Sequence, residues 1–372
     1  MVTRGATLNP FTEIIMCERH GNYLERVEAL ASEQRRGFLK KAVVGGAVVA
    51  LPAGLAALLD PSVAWAANTT LKATHGTGLC NLGMFLAKER QLTKADGVDL
   101  DFVVTPSNAD IATLFGAGAV DISMIPYTNF QTLVNAGAPV RIVAGGGVEG
   151  CAIVAQAGIK SAADMKGKSL GTFQADTLEV LPYDYLKKAG LTFKDMDVRY
   201  FNTSPELMQA FIAGAIDVIC HIEPYATQSV TSRKGATVLS DGTDVYGKGY
   251  SDCVLAARIP LIEKNPQAVK AVIKALFVAQ SQAEKDPAAA AKETVGKYYK
   301  TTLDYIRIAQ AKQPLMVDQR SQTKFILDRA QSMKELGYIK KLPDAKSIDW
   351  TLMEQVIAEN KSLYNSLKLK SA

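Results

Sequence analysis

The chain is poor in the residues that most often carry chemistry. It has 3 histidines in 372 residues, and no two of them sit at a spacing that would let them share a metal. No C-x-x-C pair occurs, and no Cys/His/Asp/Glu cluster has ligand spacing, so no metal or other cofactor is expected. No G-x-x-x-x-G-K-[ST] run is present, so the chain does not hydrolyse ATP through a phosphate loop. Aromatic residues make up 7%, and no basic block is interleaved with them, which argues against nucleic acid as a partner. No nucleophile–base constellation can be read. What remains is a chain with 48% hydrophobic residues and a net charge of +5 spread along its length, ordinary for a globular α/β protein with a mixed surface.

One segment departs from that background. Gln34-Arg35-Arg36-Gly37-Phe38-Leu39-Lys40-Lys41 precedes an Ala/Val/Gly/Leu run from Ala42 to Leu59, then Asp60-Pro61 and Ala64-Trp65-Ala66. A basic stretch, an apolar stretch and a small-x-small site make a secretory signal, expected to be cleaved after Ala66. The Arg35-Arg36-x-Phe38-Leu39-Lys40 core resembles a twin-arginine signal, with Gln34 where Ser or Thr is usual, and implies a periplasmic protein. Met16 offers an alternative start. Cys80, Cys151, Cys220 and Cys253 remain after cleavage. Export permits disulfides, whereas folding before export would leave four small buried hydrophobes.

Beyond Ala67, short apolar runs alternate with helical patterns, as βαβ units do. Strands are expected at Leu71–Thr74, Asp99–Val104, Val120–Ile125 and Val140–Ala144, then again at Ser169–Thr172, Val198–Phe201 and Ile216–Cys220. The second set repeats the first. Phe115-Gly116-Ala117-Gly118-Ala119-Val120-Asp121-Ile122 parallels Phe211-Ile212-Ala213-Gly214-Ala215-Ile216-Asp217-Val218, with Pro126-Tyr127 answered by Pro224-Tyr225 and Thr105-Pro106-Ser107 by Thr203-Ser204-Pro205. In each copy a helix ends at a glycine suited to a left-handed cap, and an Asp opens a buried strand. Two such lobes imply a cleft where strand tips converge. Residues 67–155 and 256–372 are expected to form lobe one and residues 156–255 lobe two, with the chain crossing near Cys151–Gln156 and Cys253–Ala257.

The residues Phe85-Leu86-Ala87-Lys88-Glu89-Arg90, Gly116–Ile122, Gly137-Ala138-Pro139-Val140-Arg141-Ile142-Val143, Asp164-Met165-Lys166-Gly167-Lys168 and Lys264-Asn265-Pro266 together carry a resemblance. The chain resembles the substrate-binding subunits of ABC importers, in the branch handling nitrate, sulfonates, taurine and thiamine-precursor pyrimidines. The resemblance spans about Leu71 to Tyr364. It implies a type II periplasmic-binding-protein fold: two α/β lobes, a two-strand hinge, and C-terminal helices on lobe one. It also implies a monomer that captures a small-molecule ligand by hinge closure and delivers it to a membrane permease. Enzymes of pyrimidine or menaquinone synthesis share the architecture, and a ligand-presenting sensor is a third reading. Export and the missing Cys-rich motif of the pyrimidine-forming enzymes count against the first of these.

The ligand-contact candidates lie just beyond strand ends. In lobe one they are His75, Thr77, Asn81, Asn108, Tyr127, Thr128 and Glu149; in lobe two, Thr172, Gln174, Asp176, Thr177, Asn202, Glu223 and Tyr225. Thr and Asn here serve equally as helix caps. Tyr127 and Tyr225 occupy matching positions and offer flat surfaces for clamping a planar ligand, or two core rings. His75 and His221 sit at strand ends of opposite lobes, where packing is the commoner role. Carboxylates rather than Lys or Arg occupy these loops, which favours a neutral or cationic nitrogen-bearing ligand over an anion.

Overall fold

A computed structural model describes residues 69–103 and 108–371. The secretory signal expected over residues 1–66, and the Thr105-Pro106-Ser107 part of the repeat, lie outside the described residues. The alternating pattern folds as two α/β bodies. In the first, β1 (Thr69–Ala73) pairs in parallel with β2 (Val98–Phe102), beside a sheet in which β10 (Cys253–Arg258) runs between β3 (Ile122–Pro126) and β4 (Val140–Gly145). The second holds a five-stranded sheet in the order β7 (Asp197–Tyr200), β6 (Ser169–Thr172), β8 (Val218–Ile222), β5 (Cys151–Ala155) and β9 (Thr237–Ser240).

The βαβ units account for the parallel pairs of β6 with β7 and β8, but β5 and β10 are antiparallel to their neighbours. Each follows a passage from the other body and so enters its sheet from the opposite edge. This placement moves the lobe boundary. Cys151–Ala155 lies inside the second sheet, between β8 and β9, not in lobe one, and Cys253–Arg258 in the middle of the first. The crossings are therefore the turns just before them. There Val148 and Ser251 form an antiparallel bridge, and the Glu149 N–H donates to the Tyr250 carbonyl at 2.9 Å. The first crossing is glycine-rich because side chains would not fit. A Cβ on Gly146 would lie 2.2 Å from the Met124 sulfur, and one on Gly147 2.8 Å from Cys80 Cα.

The internal repeat is structural. Gly118 and Gly214 both take left-handed φ values, 69° and 80°. Asp121 accepts the Lys72 N–H of β1 at 2.9 Å, and Asp217 accepts the Ser169 N–H of β6 at 2.9 Å. Each aspartate thus ties its own strand to the neighbouring one before the ladder begins. That explains why β3 and β8 start at Ile122 and Val218, two residues later than the apolar runs suggest.

Each lobe has its own core. The helix Pro266–Lys285 lays Val269, Val272, Ile273 and Leu276 on the first, against Leu71, Met84 and Leu255. The second gathers Ile153, Leu170, Phe211, Val218 and Ile219. The C-terminal helices pack on lobe one as expected and also reach lobe two. In Thr323–Glu335, Ile326 joins the cluster of Phe130 and Leu133, while Ala330 and Met333 pack on Val180.

Candidate functional site

The strand tips face each other. The loop after β1 holds Thr77, whose hydroxyl donates to Ser204 Oγ across the gap at 2.8 Å. Two residues on, the Leu79 N–H donates to the Glu223 carbonyl beyond β8 at 2.9 Å. Gly78 meets Ile222 so closely that a Cβ would sit 2.9 Å from Ile222 Cγ1. Between these contacts lies a cavity of about 30 Å³, room for a water molecule or two. Lobe one lines it with Thr77, Cys80 and Asn81, lobe two with Asp176, Thr177 and Ser204, and the second crossing with Asp252 and Cys253. Ile111, Pro126, Leu178 and Ile222 supply apolar wall.

Asp176 is the N-cap of the helix Thr177–Lys188, its Oδ1 accepting the Leu178 N–H at 3.1 Å. The carboxylate thereby occupies the positive end of that helix itself, which removes the usual reason for an anion to settle there. Asp252 is 1% exposed and accepts from Thr177 Oγ1 and Gln313 Nε2, each at 2.8 Å. Thr177 Oγ1 also lies 3.1 Å from Asp176 Oδ1. One hydroxyl has a single proton for two carboxyl groups. Burial, and each other's charge for Asp176, push both carboxyls up, Asp176 to about 7. Asn81, 2% exposed, presents an Oδ1 with no partner among the described residues. Among the described residues, no Lys or Arg lines the cavity.

Of the sequence candidates, Thr77, Asn81, Asp176 and Thr177 meet here. The others have different employment. The His75 ring packs edge-on against Phe85, Phe102 and Tyr298. Tyr127 and Tyr225 are buried, and neither lines the cavity; Tyr127 packs on Phe325, while Tyr225 stacks on His221 and its hydroxyl accepts the Lys300 N–H. A pair of clamping rings is not what the matching positions produce, because each opens a helix and turns into core. Thr128 is fully buried and Thr172 Oγ1 donates to the Leu178 carbonyl. Gln174 is partly buried beside β6, and Asn202 is exposed with its N–H on Glu206. Asn108 opens the helix Asn108–Gly116, and its side chain is outside the described residues.

Glu149 and Glu223 line a separate cavity of about 360 Å³ with Asp241 and Lys312. Glu149 Oε1 accepts the Gly249 N–H at 2.7 Å and so pins one crossing to the other. Glu223 caps the following helix through Thr227 and lies 3.5 Å from Lys312 Nζ. His221 is fully buried; its Nδ1 accepts the Ile222 N–H, so Nε2 carries the proton donated to the Ser204 carbonyl, and burial lowers its pKa to about 4.

Sequence inspection passed over Cys80, Ser204, Asp252 and Cys253 as contacts. Asp252 was the most accessible of these, as a lone acid immediately before an apolar strand at a crossing. All four retained cysteines are buried free thiols.

Comparison with known proteins gives the family and the fold. The family model described as NMT1/THI5 like matches residues 81–290, more than half of the chain. The chain belongs to this family. An Escherichia coli relative named for binding aliphatic sulfonates is 30% identical over 228 residues, covering 57% of this chain and 68% of the relative. The periplasmic nitrate-binding protein of Synechocystis superposes with a TM-score of 0.66 at 15% identity, over 81% of this chain and 91% of that one. A desulfurization enzyme also superposes, with a TM-score of 0.59 at 13% identity, over 78% and 99%. The fold of this NMT1/THI5-like protein is that of the periplasmic binding proteins, and enzymes use it too.

Proposed function

We propose that this protein is the extracytoplasmic solute-binding subunit of an ABC importer, and that its cleft takes a neutral or cationic nitrogen-bearing organic molecule. The binding role follows from family membership and the two facing lobes. The ligand class rests on one observation: two buried carboxyl groups and an unpartnered amide oxygen face the cavity with no cation among the described lining residues. Among the described residues such a site offers carboxyl and amide acceptors without positive charge, which a ligand N–H group complements. A sulfonate or nitrate there would meet like charge.

The mechanism is hinge closure. At about 30 Å³ the cavity is too small for an organic molecule, so loading requires the lobes to part about the Val148–Ser251 crossing, and contacts from both sides then favour the shut form. The protein works as a monomer exported through its twin-arginine-like signal, and it leaves the ligand chemically unchanged. In the unliganded cleft burial pushes the Cys80 thiol up to about 12, so it keeps its proton and offers no nucleophile to an organic ligand. A thermal-shift panel of pyrimidines, amines, sulfonates and nitrate tests the ligand class. Stabilisation by pyrimidines or amines is expected; stabilisation by sulfonates or nitrate alone overturns it. Recovery of the bound compound at unaltered mass after incubation is expected of a binder, and its conversion would identify an enzyme.

A further inference from the structure

The geometry points to a site for one thiophilic metal cation at the floor of the cleft, held by the Cys80 and Cys253 thiolates and the Asp252 carboxylate. The three donor atoms lie within 4.8 Å of one another, and Cys253 Sγ is 3.2 Å from Asp252 Oδ2. Tetrahedral zinc with sulfur at about 2.3 Å and oxygen at about 2.1 Å needs donor separations of roughly 3.5–3.8 Å. The side chains therefore need only small adjustments.

Remote parts of the chain make this set. Cys80 comes from the short helix after β1, while Asp252 and Cys253 come from the second crossing into β10. Gly147, from the first crossing, packs directly on Cys80 and fixes its position. Such a set escapes any search for ligand spacing along the sequence. Two sulfurs and one oxygen suit Zn²⁺ or Cu⁺ and disfavour Mg²⁺ or Ca²⁺, which prefer oxygen donors.

Two further features support the assignment. Asp252 accepts from Thr177 Oγ1 and Gln313 Nε2, each at 2.8 Å, the kind of partners that orient a ligating carboxylate. All three ligands also line the cavity, whose volume of about 30 Å³ suits a water in the fourth position, next to the unpartnered Asn81 oxygen. A metal here shares Asp252 with the proposed organic-ligand site, and its binding is read through the two thiols with no organic ligand present, so the two readings fail independently.

The test uses the full chain with Cys17→Ser, reduced and stripped of metal, with Zn²⁺ and Co²⁺ as probes. One equivalent of Zn²⁺ is expected to remain through gel filtration. Co²⁺ is expected to give a near-ultraviolet thiolate charge-transfer band that Zn²⁺ abolishes. Cys80→Ser and Cys253→Ser should each weaken Zn²⁺ binding about 100-fold, Thr177→Val about 10-fold, and Cys220→Ala not at all. Absence of the Co²⁺ band in the parent protein overturns the proposal even where a serine variant fails to fold. Zn²⁺ retention unchanged in folded Cys80→Ser and Cys253→Ser also overturns it, as does a Cys80–Cys253 disulfide in the protein as isolated.

Discussion

Asp184 and Asp252 are both buried carboxyl groups on lobe two or at its margin, and the protein treats them in opposite ways. Asp184 accepts from Arg329 Nη1 at 2.6 Å, Ser332 Oγ at 2.7 Å and Tyr246 OH at 2.8 Å. It ties the helix Thr177–Lys188 to the helix Thr323–Glu335, which also rests on lobe one. Asp252 has a hydroxyl, an amide and three thiols about it, and no cation among the described residues. A buried charge is tolerated when a partner offsets its desolvation. Where the chain needs a fixed joint it supplies that partner itself. In the cleft, among the described residues, it supplies no such partner, and this difference supports the proposed ligand site more directly than cavity size does.

Removing the charge that lacks a partner should produce the largest effect. Asp252→Asn keeps the shape and loses the charge. For the panel compound giving the greatest thermal shift, affinity measured by calorimetry should fall by about 100-fold or more, within the roughly 2–5 kcal/mol assigned to buried charged contacts. Unliganded stability should hold or rise, since an unfavourable burial is relieved. Undiminished affinity would mean that Asp252 is merely structural and the contrast with Asp184 is empty.

The reverse operation comes next. Arg329→Met strands Asp184 among a serine and a tyrosine. Loss of one partner of a buried pair costs about 3–5 kcal/mol, and partial exposure of Arg329, 26% at the side chain, brings the expectation to roughly 2–3 kcal/mol by urea denaturation. Adding Asp184→Asn should recover part of that loss. A single variant within about 0.5 kcal/mol of the parent would show that the guanidinium contributes nothing to the joint.

How much of this was legible in the sequence depended on whether the signal was local. The repeat around Asp121 and Asp217 could be read because helix end, left-handed glycine and capping aspartate are consecutive residues. The two-lobed fold follows from it. Asp176 and Thr177 were candidates because they lie just beyond a strand, and the structure puts both on the cavity wall. Asp252 and Cys253 were treated only as a crossing, because nothing near them in sequence shows that Cys80, over 170 residues earlier, packs beside them. Tyr127 and Tyr225 misled in the other direction: their matching positions are real, yet a helix-opening residue after a buried strand has core on most sides. Glu149 and Glu223 were correctly placed at strand ends, but their hydrogen bonds to Gly249 and Thr227 engage them in the frame.

Glu179 sharpens the comparison because it falls between the two cases. It is fully buried with no cation, like Asp252, but lies outside the cavity and is surrounded by donors: the Ala175 N–H at 2.7 Å, Tyr338 OH at 3.0 Å and Tyr200 OH. Burial is the dominant influence, opposed by those hydrogen bonds and reinforced by Asp176, and it raises the carboxyl to about 7. In the unfolded chain the same group loses its proton near 4.5. Between these values the native state binds the extra proton, so its contribution to stability is complete below about pH 4.5 and fades as pH rises towards 7. His221 acts oppositely in the same range. Its native pKa of about 4 lies below the unfolded 6.5, so stability from that group grows as pH rises from 4 to 6.5. The raw profile of the parent therefore conceals both. Comparison with Glu179→Gln cancels the histidine, which is common to the two proteins. From pH 5.5 to 6.5 the parent should lose about 1 kcal/mol relative to the variant, the smallest effect considered and close to the ceiling of about 1.4 kcal/mol for one group over one pH unit. Parallel profiles would place Glu179 with Asp184, as an acid whose hydrogen bonds fully replace water, and would leave the uncompensated carboxyls confined to the cleft.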